Sequence, residues 1–300
     1  MNYKELSKKI SKVKLKSGHS TCPGCPIGII LRTIMSACDD PIVCCGATSC
    51  AEVTTSIYPH TNWNTPWIHS VFANAAATIS GVEQAYLARK EKGEIKKKIK
   101  FMAFGGDGGS YDIGLQSLSG ALERGHDFVY VCYANEGYMN TGAQRSSNTP
   151  LGATTTTTPG GKKQFAKDFT EIAIAHNIPY VANANPGHQI DLYNKAKKAF
   201  EVKGPAVINV FAACPTNMKA PSDETINISK LATESCFWPL FEYENGKYKI
   251  NYKPSKKIKI EDFLKTQTKF KGVLKSKEDI KKIQVEIDNK WKQLLKKEKL

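Results

Sequence analysis

Short apolar runs alternate with amphipathic stretches along the first two thirds of this chain. Residues 41–45, 100–104, 128–134 and 206–211 are brief, apolar and bounded by turn residues, which predicts strands buried on both faces. Residues 27–37, 69–92, 112–125, 168–176 and 186–202 carry helical spacing. Pro186 after Asn185 suits a helix start, and Gly125 suits a helix end. The alternation predicts an α/β fold with a mostly parallel sheet and helices on both faces. Residues 145–163 form a long, polar, Gly/Pro-punctuated connection of the kind that is functional or mobile.

The pattern changes after Pro221. Ile280, Ile283, Ile287, Trp291 and Leu294 recur at helical spacing with lysines between them, predicting an amphipathic helix docked on its own core or on a partner. Three regions are expected: an N-terminal segment 1–40, an α/β domain 41–220, and a Lys-rich helical extension 221–300. No internal repeat is visible.

Composition narrows the function classes. With 300 residues, 41% of them hydrophobic, the chain can bury a real core. It has no apolar run of about 18 residues to span a membrane, and no apolar stretch follows the Lys-rich N-terminus as in a secretory signal. A cytoplasmic location is expected. The net charge of +15 collects in the first 15 residues, in 89–100 and after Lys253. These clusters lack the interleaved aromatics that stack bases, which favours a basic rim for acidic protein partners over nucleic-acid binding.

Nine cysteines without a secretory signal point away from disulfides and toward metal or redox use. Cys38, Cys44, Cys45, Cys132 and Cys236 lie among apolar or small residues and suit simple packing. Cys22, Cys25, Cys50 and Cys214 have different surroundings.

The segment KIKFMAFGGDGGSYDIGLQSLSGALERG reads as strand, Gly/Asp turn, helix. At the C-terminal edge of a parallel strand, such a turn lets backbone N–H groups approach a diphosphate. A bare carboxylate there would repel phosphate, so Asp107 makes sense as the ligand of a bridging magnesium; a structural Asp cap is the alternative. The next strand ends at Asn135, with 26 residues between Gly108 and Asn135, which brings Asn135 beside Asp107 in a βαβ unit. Gly-Asp-Gly followed at this spacing by Asn resembles the thiamine-diphosphate motif, although Glu136 stands where many members have a second Asn.

The flanking segments GGDGGSYDIGLQSLSGALERGHD and NEGYMNTGAQRSSNTPLGATTTTTP resemble the β subunits of pyruvate:ferredoxin oxidoreductases, within the ferredoxin-dependent 2-oxoacid oxidoreductases. The likeness runs from about Gly18 to Cys214. It implies a thiamine-diphosphate-binding fold with Mg²⁺ held by Asp107, Asn135 and the Gly137 carbonyl. It also implies diphosphate contacts from Gly106, Gly108 and Thr141, with Asn140 close to the substrate.

Cys22-x-x-Cys25 alone allows zinc, an iron–sulfur cluster or a redox pair. Together with Cys50 and Cys214, four thiolates from three distant segments suit a [4Fe–4S] cluster, with Cys₄ zinc as runner-up. The resemblance implies the cluster, although CPGCP stands where the family reads CxGCG. Thr48, in the same A-T-x-C segment, corresponds to a position near the thiazolium and diphosphate; a turn threonine is the other reading. Trp63, Trp67 and His69 line either a cofactor, an interface or a packed core.

The resemblance further implies oxidative decarboxylation of a 2-oxoacid, with coenzyme A taking the acyl group and ferredoxin the electrons. Pyruvate is favoured by NTGAQRSSNTPLGATTTTTP, while branched-chain 2-oxoacids and 2-oxoglutarate share the machinery. No glutamate stands out for contacting the aminopyrimidine ring. In the family an α subunit supplies it, so an α subunit and ferredoxin-type γ and δ subunits are expected partners. A basic zinc-stabilised nucleic-acid module is the reading from a different class.

Overall fold

The computed structural model describes residues 2–10 and 14–300, so Met1 and residues 11–13 of the expected N-terminal segment lie outside it. Its eight strands are β1 (Ile42–Ala47), β2 (Trp67–Ser70), β3 (Lys100–Gly105), β4 (Val129–Ala134), β5 (Tyr180–Ala184), β6 (Ala206–Phe211), β7 (Phe241–Glu244) and β8 (Lys247–Ile250). They form one sheet in the order β2-β1-β3-β4-β6-β5-β7-β8. The first six are parallel; β7 and β8 add an antiparallel edge beside β5.

Alternation along the strands feeds two cores. Phe101, Ala103, Tyr130 and Val207 face one layer, with helices Ala75–Glu91, Leu115–Glu123 and Phe169–Ile174. Met102, Phe104, Val131 and Ile208 face the other, with helices Ile27–Ser36 and Gln189–Glu201. Burial on both faces explains why these strands read as continuous apolar runs.

Several boundaries differ from the sequence reading. The helix expected from 69 begins at Ala75, because His69 and Ser70 belong to β2, paired with Gly46 and Ala47. The helix expected over 112–125 is shorter, Leu115–Glu123, and a separate short helix, Asp107–Tyr111, precedes it in the segment read as a turn. Strand β5 was hidden by Asn183, whose buried amide accepts from the Thr170 hydroxyl at 2.5 Å. The extension holds a hairpin as well as helices. Asn245 and Gly246 take positive φ (49° and 89°), the left-handed pair of a tight two-residue turn.

The predicted C-terminal helix runs Lys277–Lys297, capped by Ser276, whose hydroxyl accepts from the Asp279 N–H at 3.1 Å. Its buried Ile283, Ile287 and Leu294 dock on the chain's own first core. Among the described residues no helix is long and apolar enough to cross a membrane.

Candidate cofactor site

Strands β1, β3 and β4 end side by side, and the glycine turn leaves β3 at that edge. The Phe72 ring covers the turn: a Cβ on Gly108 would lie 2.0 Å from the ring tip, which would have to move. Asp107 follows Gly106 and is 1% exposed. Its carboxylate accepts from the Asn135 backbone N–H (3.1 Å), the Ser146 hydroxyl (2.6 Å) and the Asn148 amide (3.3 Å). Burial lifts its carboxyl to about 7; these hydrogen bonds pull the other way, and nearby Glu136 adds to the rise.

Asn135 closes the other side. Its backbone carbonyl accepts from the Asn217 amide at 2.7 Å, while its side-chain Oδ1 is buried and without a hydrogen-bond partner. A buried carboxylate lacking countercharge, next to an amide oxygen lacking a donor, is what a hard divalent cation would complete. Gly137 follows, also buried.

The long polar connection folds over this pair. Lys162 is 2% exposed, and its ammonium donates to the carbonyls of Ser147 (2.7 Å) and Thr149 (2.6 Å). This knot holds Ser146 and Asn148 against Asp107. Sequence reasoning marked the loop but missed Ser146, Asn148 and Lys162 individually. Runs of polar residues at 145–149 were the only signal.

Asn140 and Thr141 lie on the exposed part of the 138–144 loop, whose base is a Tyr138–Gln144 bridge. The Thr141 hydroxyl donates to the Gln144 side chain. No hydrogen bond joins either side chain to Asp107 or Asn135, so the structure does not bring these two to the pair.

Thr48 ends β1 beside the turn, where a Cβ on Gly109 would lie 3.1 Å from that of Ala47. Its hydroxyl is 2.7 Å from His69 Nε2, and His69 Nδ1 is 3.5 Å from the buried Glu52. Thr48 at the sheet edge is thus linked through a half-exposed imidazole to the buried Glu52. Trp63 and Trp67 do something else. They stack at 4.2 Å and each packs 5.3 Å from Phe104, filling the core under β1.

The four singled-out cysteines come together from three segments. Cys25 precedes the helix Ile27–Ser36, Cys50 opens Cys50–Thr55, and Cys214 precedes Pro215–Met218. Burial pushes the Cys25 and Cys50 thiols up to about 12, and negative charge on the other sulfurs adds to the rise. Cys214 is also raised by burial; the Asn217 and Thr216 N–H groups and the Lys269 charge oppose this. Thr216 donates its hydroxyl toward the exposed Cys22 Sγ at 3.9 Å. The turn between Cys22 and Cys25 depends on Gly24, at φ +73°, where a Cβ would lie 1.8 Å from the Ser222 carbonyl oxygen. Among the described residues, no three His, Cys, Asp or Glu side chains converge closely enough to grip one metal ion.

The chain matches the thiamine pyrophosphate enzyme C-terminal TPP-binding domain over residues 45–210, the span that contains Thr48, Asp107 and Asn135. It is 46% identical to pyruvate synthase subunit PorB of Thermotoga maritima, covering 98% of this chain and 96% of that one. The chain belongs to the 2-oxoacid:ferredoxin oxidoreductase β subunits. Identity is 47% to PorB of Methanocaldococcus jannaschii (92% and 95% covered). It is 45% to ketoisovalerate oxidoreductase subunit VorB of Pyrococcus abyssi (93% and 92% covered). A solved 2-oxoglutarate:ferredoxin oxidoreductase from Magnetococcus marinus shares the fold, with TM-score 0.60 at 23% identity over 69% of this chain and 68% of that one. The expected α/β thiamine-diphosphate fold is thus borne out, and the chain is a subunit of an oxidoreductase.

Proposed function

We propose that this β subunit binds thiamine diphosphate with Mg²⁺ and one [4Fe–4S] cluster, for the CoA-dependent oxidative decarboxylation of pyruvate to acetyl-CoA and CO₂. The observation that carries the first part is the buried Asp107 carboxylate beside the unpartnered Asn135 Oδ1. Asp107, Asn135 and the Gly137 carbonyl hold the cation; Gly106, Gly108 and Thr141 meet the diphosphate. Thiamine diphosphate, when bound, supplies the nucleophilic carbon and electron sink for the 2-oxoacid, and the cluster supplies a one-electron acceptor.

The chain's own residues prepare that chemistry. Ser146, Asn148 and the Asn135 N–H fix the orientation of the Asp107 carboxylate. Thr48, bonded to His69, offers a hydroxyl for proton movement at the reacting centre, with the exposed face of His69 open to solvent. Asn140, on its exposed loop, meets the substrate when a partner closes over this edge.

Cys22, Cys25, Cys50 and Cys214 hold the cluster. A tetrahedral zinc draws each sulfur to about 2.3 Å of one point; a cubane spreads its thiolates around a larger body. Backbone N–H groups directed at Cys25 and Cys214 suit the negative charge of such a cluster.

Among the described residues the buried glutamates all have partners: Glu52 with His69, Glu83 with His126, Glu136 with Lys269, and Glu242 with Lys198. None is left to address an aminopyrimidine ring, which supports completion of the site by an α subunit. Ferredoxin-type γ and δ subunits carry electrons onward to ferredoxin. Residues 41–220 act as the cofactor domain, 1–40 supply the first two cluster ligands, and the 221–300 extension braces the site. The complex works in the cytoplasm, and its basic rim docks acidic partners.

A branched-chain 2-oxoacid is the second reading, favoured by the near-equal identity to a ketoisovalerate subunit. One experiment tests both. The complex, purified anaerobically, is assayed for viologen reduction with a panel of 2-oxoacids and coenzyme A. Preference for pyruvate supports the first reading, preference for 2-ketoisovalerate the second, and a colourless protein that reduces nothing overturns both.

A further inference from the structure

The glutamate that follows Asn135 faces the Lys-rich extension. They meet in one contact. Lys269, in the single turn Thr268–Phe270, pairs its ammonium with the Glu136 carboxylate, and the two side chains are 1% and 2% exposed. The lysine is firmly seated. Its carbonyl accepts from the Thr154 N–H (3.1 Å) and hydroxyl (3.2 Å). The preceding Thr268 hydroxyl donates to the Lys219 carbonyl at 2.9 Å, just beyond the helix that starts after Cys214.

Glu136 is a hinge between two proposed magnesium ligands. Its φ of +65° is left-handed, rare for a residue with a Cβ, and its carbonyl accepts from the Thr149 hydroxyl at 2.9 Å. That bend sets where the Asn135 amide and the Gly137 carbonyl point. An unpaired carboxylate buried here would carry a large desolvation cost and would repel a diphosphate. The turn that carries Lys269 packs against the short helix Pro215–Met218, which Cys214 directly precedes, so the same ammonium lies on the Cys214 side of the cysteine group.

We propose that Lys269 is a positioning residue shared by both cofactor sites. It neutralises Glu136, so that the Asn135–Gly137 bend presents its oxygens to the cation, and it places a positive charge toward Cys214. This inference rests on the cofactor reading above.

The test uses the anaerobically purified complex carrying Lys269→Met, Glu136→Gln, Lys269→Arg or the double change Glu136→Gln/Lys269→Met. Two quantities are read: the dissociation constant for thiamine diphosphate with Mg²⁺, and the midpoint potential of the cluster by redox titration. Lys269→Met should weaken cofactor binding about 10–100-fold, as for other partners of metal ligands, and lower the potential. Glu136→Gln should raise the potential, because the ammonium is then uncompensated. The double change, lacking both charges, should return both readings toward wild type, and Lys269→Arg should keep them.

A purely structural pair would not move the potential in opposite directions. Potentials that shift the same way in the two single variants, or not at all, overturn the proposal. So does a double variant that binds cofactor as weakly as Lys269→Met. If Lys269→Met does not accumulate, the other variants decide: a Glu136→Gln potential at or below wild type, or a double variant whose potential and cofactor affinity do not match wild type, overturns the proposal. A wild-type complex that binds neither cofactor overturns the cofactor reading itself, and this inference with it.

Discussion

The backbone N–H of Asn135 donates to the Asp107 carboxylate across 3.1 Å, tying together the ends of adjacent parallel strands. Because these residues stand at the same sheet edge, a buried carboxylate and the residue bearing a buried, unpartnered amide oxygen are held together by one backbone hydrogen bond. The bond also makes the strand pairing and the binding site a single structure: β3 and β4 must be in register for the site to exist.

Replacing Asp107 with alanine should therefore abolish thiamine diphosphate binding while leaving the cluster intact. The thiols draw on the segments around 22–25, 50 and 214, none of which bonds to the Asp107 side chain. Loss of the carboxylate leaves the Ser146 hydroxyl and Asn148 amide without their acceptor, at about 1–3 kcal/mol for a buried unsatisfied group. The measurement is cofactor binding by calorimetry alongside the visible spectrum. An Asp107→Ala protein that still binds thiamine diphosphate would refute the assignment of the turn.

The same burial predicts a pH dependence. Asp107 is raised from 3.8 to about 7, chiefly by desolvation. Between those values the folded, cofactor-free chain keeps a proton that the unfolded chain has released. The contribution of this group to stability is thus full below pH 3.8 and is lost as pH rises toward 7. Cation binding needs the carboxylate and expels that proton, so added Mg²⁺ and thiamine diphosphate stabilise more at pH 7.5 than at pH 6, each pH unit below the folded pKa costing about tenfold in affinity. Thermal melts of cofactor-free protein at the two pH values check the first part. Asp107→Asn, which has no proton to lose, should show a shallower fall; equal slopes would exclude Asp107 as the source.

How much of this was legible depended on sequence distance. The Gly-Asp-Gly turn and Asn135 are each local signals, and a βαβ unit of ordinary length joins them, so both were readable from the chain. Strand β2 was not, because four residues containing a histidine and a serine leave too short an apolar run. That miss also hid the Thr48–His69 contact, which depends on β2 lying beside β1. Lys162 and Lys269 look like surface lysines in the sequence. Only the tertiary fold, which sets Lys269 against a residue 133 positions away, shows them buried. The Asn245-Gly246 hairpin carried a readable turn signal, but it lay among lysines that suggested a plain tail.

The cysteine site predicts a contrast between thiols. Cys214→Ser should lower iron content and the broad absorbance near 400 nm, whereas Cys236→Ala should change neither. Cys236 is buried in the first core, outside the three segments that carry the other thiols. Gly24→Ala provides a test that spares every sulfur. Its Cβ would collide with the Ser222 carbonyl, and φ +73° disfavours any side chain, so the turn carrying Cys22 must distort. Loss of iron from Gly24→Ala, together with retained thiamine diphosphate binding, is the expected result. Full iron occupancy in both Cys214→Ser and Gly24→Ala would remove this constellation as the cluster site.

The Thr48 hydroxyl separates a chemical role from a structural one. Its backbone N–H donates to the Ser70 carbonyl at 3.1 Å and its hydroxyl reaches the same carbonyl at 3.2 Å, so the side chain adds a second tie between the ends of β1 and β2, one that Thr48→Ser keeps. The hydroxyl faces His69 Nε2 at 2.7 Å, and Glu52 steadies the far side of the ring. If this row moves a proton at the reacting centre, Thr48→Val should lower kcat about 100-fold, the lower range for a positioned acid–base group. Affinity for thiamine diphosphate and the cluster spectrum should stay near wild type. Thr48→Ser, which keeps the oxygen, should recover most of the rate, and His69→Asn should shift the pH profile of kcat. A Thr48→Val enzyme at full rate, or a Thr48→Ser enzyme as slow as the valine variant, would return Thr48 to the part of a turn residue. The hydroxyl matters only if its chemistry, and not its shape, is what the enzyme loses.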